Sequence, residues 1–207
     1  MARQNPYARV DHRTLQARAR GYPARSVFKL EEIDRRCRLF SPGQRVIDLG
    51  AAPGSWSLYA AQRVGERGVV IAIDLQPITH PLPPSVAVLQ ADAFALDSEI
   101  HAQHGPYEVV LSDMAPKTGG DKFANAVRSY ELFRAALEVS LVHGTVGCHF
   151  VGKLFMGPDF EAARAEVARH FAQVKVVRPS GTRGNSVEVF VVGLRRRAAD
   201  HSSDTGA

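Results

Sequence analysis

Lys153 stands in Phe150-Val151-Gly152-Lys153-Leu154-Phe155, a lysine in apolar company. Burying an ammonium without a partner is costly, so lysines in such surroundings are uncommon. Desolvation and a second nearby cation both lower a lysine pKa, and the neutral amine that results can act as a base. Lys29 is a candidate for that cation, or for a group that orients a substrate. It lies beside the apolar stripe Val27, Leu30, Ile33 and Cys37 rather than opposite it, although most such lysines merely snorkel. Glu188 is an acid inside Asn185-Ser186-Val187-Glu188-Val189-Phe190-Val191-Val192. It fits a proton-handling site, and it fits a purely architectural bridge to Lys153.

Four further acids are spaced as if by the fold itself. Asp48, Asp74, Asp92 and Asp113 end, or closely follow, apolar runs that read as strands: Arg45 to Leu49, Val69 to Asp74, Val86 to Gln90, and Tyr107 to Asp113. Later strands are expected at Thr145 to Lys153, Gln173 to Arg178 and Val187 to Gly193. Helices are expected at Ser26 to Arg36 with Ser26 as N-cap, Ser55 to Val64, Asp97 to His104, Asn125 to Val142, and Pro158 to His170 with its proline in the first turn. This alternation predicts a Rossmann-like α/β fold: a mostly parallel seven-stranded sheet, helices on both faces, and an antiparallel pair at one edge. Ligands of such sheets bind beyond the carboxyl ends of the strands, so the four acids face one crevice.

The first strand and its turn, Val46 to Trp56, select the ligand. A phosphate-binding loop needs Gly-Lys-Ser/Thr at the helix start, and here the stretch is Gly54-Ser55-Trp56. A dinucleotide site needs a middle glycine for the pyrophosphate, and this turn has only Gly50 and Gly54 with Pro53 between. A nucleoside ligand without phosphates remains, S-adenosylmethionine. Asp74 follows Gly54 by twenty residues, the distance for a carboxylate that takes ribose hydroxyls. Asp92 is placed to accept from an adenine amino group. Trp56 either packs near the methionine end or belongs to the core.

Composition bounds the rest. The chain has 207 residues, 45% of them hydrophobic, enough for one substantial core. Net charge is +5 and the pI about 9.5, which favours a polyanionic partner. Arg3, Arg9, Arg13, Arg18, Arg20 and Arg25 precede Ser26 against the single acid Asp11. Residues 1–25 therefore read as a basic flexible arm, 26–194 as one domain and 195–207 as a disordered tail. Cys37 and Cys148 lie in unmatched contexts that suggest neither a disulfide framework nor a zinc site. The unmatched cysteines fit a reduced, cytoplasmic compartment, no run approaches a membrane span, no secretory signal is evident, and a monomer is expected.

Asp113-Met114-Ala115-Pro116 lacks the Pro-Pro-aromatic stretch of base-amino methyltransferases, which favours a hydroxyl acceptor. Five blocks then resemble, in order, the RrmJ/FtsJ family of ribosomal RNA 2′-O-ribose methyltransferases. They are Arg25 to Leu30, Asp48 to Gly54, Asp113 to Pro116, Gly152 to Phe155, and Arg178-Pro179 through Ser186-Val187-Glu188. The resemblance implies a Lys-Asp-Lys-Glu tetrad at Lys29, Asp113, Lys153 and Glu188, with Lys153 as proton acceptor. It implies S-adenosylmethionine at Gly54, Trp56, Asp74, Asp92 and Asp113, and a uridine of large-subunit (23S) ribosomal RNA as substrate. Two departures stand out: Ser55 replaces a common glycine and Phe28 a common tyrosine. A transfer RNA 2′-O-methyltransferase, a noncatalytic RNA-binding assembly factor and an NAD-dependent oxidoreductase are the competing classes. The missing middle glycine disfavours the last.

Overall fold

A computed structural model describes residues 12–96, 98–117, 119–180 and 187–198. In chain order the elements are α1 (His12–Ala19), α2 (Val27–Cys37), β1 (Arg45–Leu49), α3 (Ser55–Val64), β2 (Val69–Asp74), β3 (Val86–Gln90), α4 (Ser98–His104), β4 (Tyr107–Ser112), α5 (Lys122–His143), β5 (Gly144–Phe155), α6 (Phe160–His170), β6 (Phe171–Val177) and β7 (Glu188–Arg196). The strands form one sheet in the order β3-β2-β1-β4-β5-β7-β6. β7 runs antiparallel to both neighbours, β5 and β6, and the other pairings are parallel.

Side-chain alternation along the strands divides the core in two. Ile47, Leu49, Ile71, Ile73 and Val110 face Phe133, Ala136 and Leu137 of α5 and Ala163 and Val167 of α6. Val46, Val70, Val109, Leu111, Val151, Phe190 and Val192 face Leu30 and Ile33 of α2 and Trp56, Ala60 and Val64 of α3. The central parallel strands are buried on both faces and so read as largely apolar runs, whereas the edge strand β3 is partly exposed.

Four local expectations are corrected. Ser26 occupies the N-cap position of α2 but has helical backbone angles and makes no capping side-chain bond. Pro158 precedes α6, whose N-cap is Asp159. The basic stretch up to residue 25 contains helix α1, and Ala17 and Tyr22 pack with Val27 in a small core of their own. The Tyr22 hydroxyl donates to Gln62 of α3 at 2.6 Å. Charge counting missed this because two buried side chains, Ala17 and Tyr22, dock a short helix whose other faces carry the arginines. The tail expected from residue 195 begins as strand: Arg196 donates to the carbonyls of Thr145 and Gly144, and the Arg197 amide to that of His170. Residues 1–11 and 199–207 lie outside the described residues.

Candidate active site

The turn after β1 closes on Asp74. One Asp74 carboxylate oxygen accepts the Ala52 amide at 2.9 Å, and the other accepts the Gln76 amide at 2.8 Å. A carboxylate at the end of β2 thus clamps the neighbouring turn and still lines the cavity beside it. Gly50, at φ 78°, passes so near Met114 that an added Cβ would lie 2.4 Å from the Met114 side chain. The turn tolerates no larger residue there.

The cavity has a volume of about 450 Å³. Asp74, Asp92 and Asp113 line it together with apolar walls from Leu75, Phe94, Met114 and Leu132. The Asp92 side chain accepts the Phe94 amide at 3.0 Å, which fixes the loop that carries the Phe94 ring. Asp74, Asp92 and Asp113 therefore converge, three of the four acids that the strand-end spacing sets at one crevice; Asp48 does not line it. Phe94 and Leu75, each just beyond a strand-end acid, are lining residues that sequence reasoning missed. An apolar residue one or two places after such an acid was the available signal.

Two expected cofactor residues stand elsewhere. Gly54, at φ 104°, is the N-cap of α3 and faces Ile78 and Leu82 rather than lining the cavity. The Trp56 side chain is buried in the core: its Nε1–H donates to the Ser26 carbonyl at 2.9 Å, and its ring packs on Phe190 at 5.6 Å. Core packing was the competing reading for Trp56, and it is the observed one. The physical reason is helical phase, since the first turn of α3 points this side chain at α2.

Asp48 faces the α3 side of the sheet, 1% exposed, and one of its oxygens accepts from Ser57 at 2.6 Å. The other has no hydrogen-bond partner among the described residues. Burial pushes the carboxyl up to about 7, aided by the negative charges of Asp113 and Asp74 and opposed by the Ser57 hydrogen bond.

Next to the cavity lies a compact charge cluster. In the β5–β7 register Lys153 pairs with Phe190 and Phe155 with Glu188, so the side chains of Lys153 and Glu188 share the α2 face of the sheet. Lys153 is 7% exposed; its ammonium bonds both the main-chain carbonyl of Asp113 and, at 2.9 Å, the Asp113 carboxylate. Lys29, from α2, lies 2.7 Å from Glu188 and 3.8 Å from the same Asp113 oxygen. Glu188 is thus bridged to Lys29, not to Lys153, and the architectural pairing considered for it is not the one formed. The Lys29 ammonium also stands 5.7 Å from the centre of the Phe190 ring, which Trp56 backs. Gly152 is required on the opposite face, where a Cβ would sit 2.7 Å from Phe133.

Ser55, the departure from glycine, has a structural role. Its hydroxyl donates to the Ala24 carbonyl at 3.1 Å and accepts the Ala24 amide at 2.8 Å. The start of α3 is thereby tied to the segment that leads into α2.

A seven-stranded sheet with its antiparallel β7, a strand-end cavity lined by carboxylates, and an adjoining lysine–carboxylate cluster define a methyltransferase-type α/β protein. The chain belongs to the FtsJ-like methyltransferase family, whose model matches residues 22–196. Among its relatives, the ribosomal RNA large subunit methyltransferase E of Sorangium cellulosum is 57% identical over 196 residues, covering 95% of this chain and 92% of that one. The protein of that name from Myxococcus xanthus is 44% identical over 200 residues, covering 94% and 93%. A Plasmodium falciparum crystal structure described as a ribosomal RNA methyltransferase superposes with a TM-score of 0.76 at 20% identity, over 86% of this chain and all of that one. That likeness speaks to the fold alone.

Proposed function

We propose that the protein transfers a methyl group from S-adenosylmethionine to a ribose 2′-hydroxyl, that of a uridine, in large-subunit ribosomal RNA. The observation that carries this reading is the position of Asp113. It lines the cavity and also holds Lys153, so a donor site and a buried amine meet at one residue. The large-subunit substrate is supported by the names of relatives that match nearly end to end.

The cavity suits the donor chemically. Asp74 and Asp92 offer carboxylate acceptors for ribose hydroxyls and an adenine amino group, between walls that can hold an adenine face. Bound there, S-adenosylmethionine supplies an electrophilic methyl group. Gly54 and Trp56 support the turn, and any contact of Trp56 with the donor comes through its main chain.

The chain's own residues do the remainder. Lys153 is assigned as the acceptor of the 2′-hydroxyl proton, released as the oxygen takes the methyl group. Asp113 aims the Lys153 nitrogen, and Glu188 holds Lys29 beside it as the group that orients the acceptor. Positioning the two reactants supplies much of the rate. Arginines of α1 and the segment before it give phosphate contacts. A ribosomal particle as substrate is consistent with action in the cytoplasm.

The test uses purified protein, labelled donor and large-subunit particles from cells that lack the protein. A methylated ribose is expected as an alkali-resistant dinucleotide at one position. A methyl group on a base, or methylation of transfer RNA in preference to the particle, would overturn the assignment.

A further inference from the structure

A cleft of about 420 Å³, separate from the cofactor cavity, opens between α1 and α2. Arg13 and Arg20 line it from α1 and its C-terminal turn, and Phe28, Glu31, Glu32 and Arg35 from α2. Both carboxylates are already engaged. Glu31 binds both terminal nitrogens of Arg20, one of them at 3.0 Å. Glu32 accepts from Arg36 at 2.5 Å, and from the amide and hydroxyl of Ser180 at 2.8 and 2.9 Å. With Arg13, Arg20 and Arg35 against these two acids, the cleft lining is net basic.

Arg20 is held in an unusual way for a surface arginine. Its guanidinium lies 5.5 Å from the centre of the Tyr22 ring and 5.5 Å from that of Phe28. Its side chain is 44% exposed. With both terminal nitrogens committed to Glu31, what it offers a ligand is chiefly its flat face. Guanidinium planes and aromatic rings are the surfaces on which unstacked RNA bases lie, whereas a phosphate wants free N–H donors. Arg13 and Arg35, on the two walls, are placed to meet phosphates.

Position in the fold says which nucleotide this is. Phe28 immediately precedes Lys29, and Glu32 follows Lys29 by about one helical turn, so the cleft adjoins the charge cluster along α2. Resting on the ribose-methylation reading above, we propose that the α1–α2 cleft is a subsite for a nucleotide flanking the methylated one, its base stacked on the Arg20 guanidinium. Phe28, the departure from tyrosine, then serves as the apolar backing of that platform.

The test compares wild-type, Arg20→Lys and Arg20→Ala proteins in methyl transfer to large-subunit particles, after the methylated nucleotide has been mapped with the wild type. It is repeated on particles rebuilt with an abasic residue on either side of that nucleotide. Both variants are expected to raise the KM for particles roughly ten-fold or more, the scale of one lost base stack. The thermal midpoint and donor affinity of Arg20→Lys should stay at wild-type values. An abasic residue on one side should raise the wild-type KM comparably and add nothing to the defect of either variant. Recovery of wild-type KM by Arg20→Lys would reduce the cleft to a general positive charge and overturn the proposal. Abasic substitutions that leave the wild type unaffected, or that weaken all three proteins alike, would also overturn it, and would point to another occupant such as an acidic protein segment. A methyl group mapped to a base in the wild-type reaction sinks the 2′-hydroxyl assignment instead, while the KM comparison still reads the cleft.

Discussion

On one side of Asp113 the crevice is made of short-range pieces, and on the other of long-range ones. The proposed cofactor side uses the turn after β1, the end of β2 and the loop after β3, consecutive units in which each acid caps its own loop and Asp74 also reaches back to Ala52 in the preceding turn. Asp74 bonds Gln76, and Asp92 bonds Phe94. The proposed catalytic side joins Lys29 of α2 to Glu188 of β7 and Lys153 of β5 to Asp113 after β4. The bonded partners are far apart in sequence, Lys153 forty residues from Asp113 and Lys29 still farther from Glu188, and only the sheet brings them together. Local turns can hold an open cavity of carboxylates. A buried ammonium needs partners fixed on several elements at once, because leaving it unpaired is so costly.

If the two sides are separable in this way, their variants should fail in different measurements. The largest effect is expected for Lys153→Met. Loss of a proton acceptor should lower kcat by about 10²–10⁴-fold, while calorimetry shows unchanged donor affinity. Loss of donor binding in this variant would mean that the two sides are one unit.

Asp48 lies at the seam and feels charges of both sides. Its folded pKa, about 7, is above the unfolded value of 3.8, so the native state holds the extra proton between those limits. The stability this carboxyl lends is full below the lower value and is lost as pH rises to the upper one. Asp48→Asn keeps the shape without the charge. Denaturation should show it matching the wild type near pH 4 and exceeding it above pH 7, by an amount on the order of 3 kcal/mol. A gap that does not grow with pH would show that Asp48 is not held protonated.

Asp74→Asn should act on the other side alone. Losing charge-assisted hydrogen bonds worth about 1.5–3 kcal/mol predicts donor binding weaker by roughly 10–150-fold, with kcat at saturating donor largely kept. The smallest effect is expected for Trp56→Phe, which removes the bond to Ser26 and should cost about 1 kcal/mol of stability. Its donor affinity should stay unchanged. A large loss of donor binding would return Trp56 to the cofactor side, where sequence reasoning had placed it.

The same division explains what could be read in advance. Asp74 and Asp92 were legible because their spacing from the Gly50–Gly54 turn is a property of consecutive strands. Lys153 and Glu188 were visible as misfits, charged residues in apolar strands. Their partners were not visible, because the pairing of Glu188 with Lys29 depends on β7 running between β5 and β6. The core position of the Trp56 side chain was not visible, because proximity in sequence to a binding turn does not say which way a helix turns its side chains. The docking of α1 was hidden under its arginines.

By itself the sequence determined the α/β alternation and the strand-end acids, since these follow from hydrophobic period and local turn chemistry. Only the tertiary structure decided that Lys29 bridges Glu188 and Asp113, that Trp56 backs Phe190, and that Arg20 lies over Phe28. Each of those contacts joins residues on different elements, and a contact of that kind exists only once the sheet order and helix phases are set.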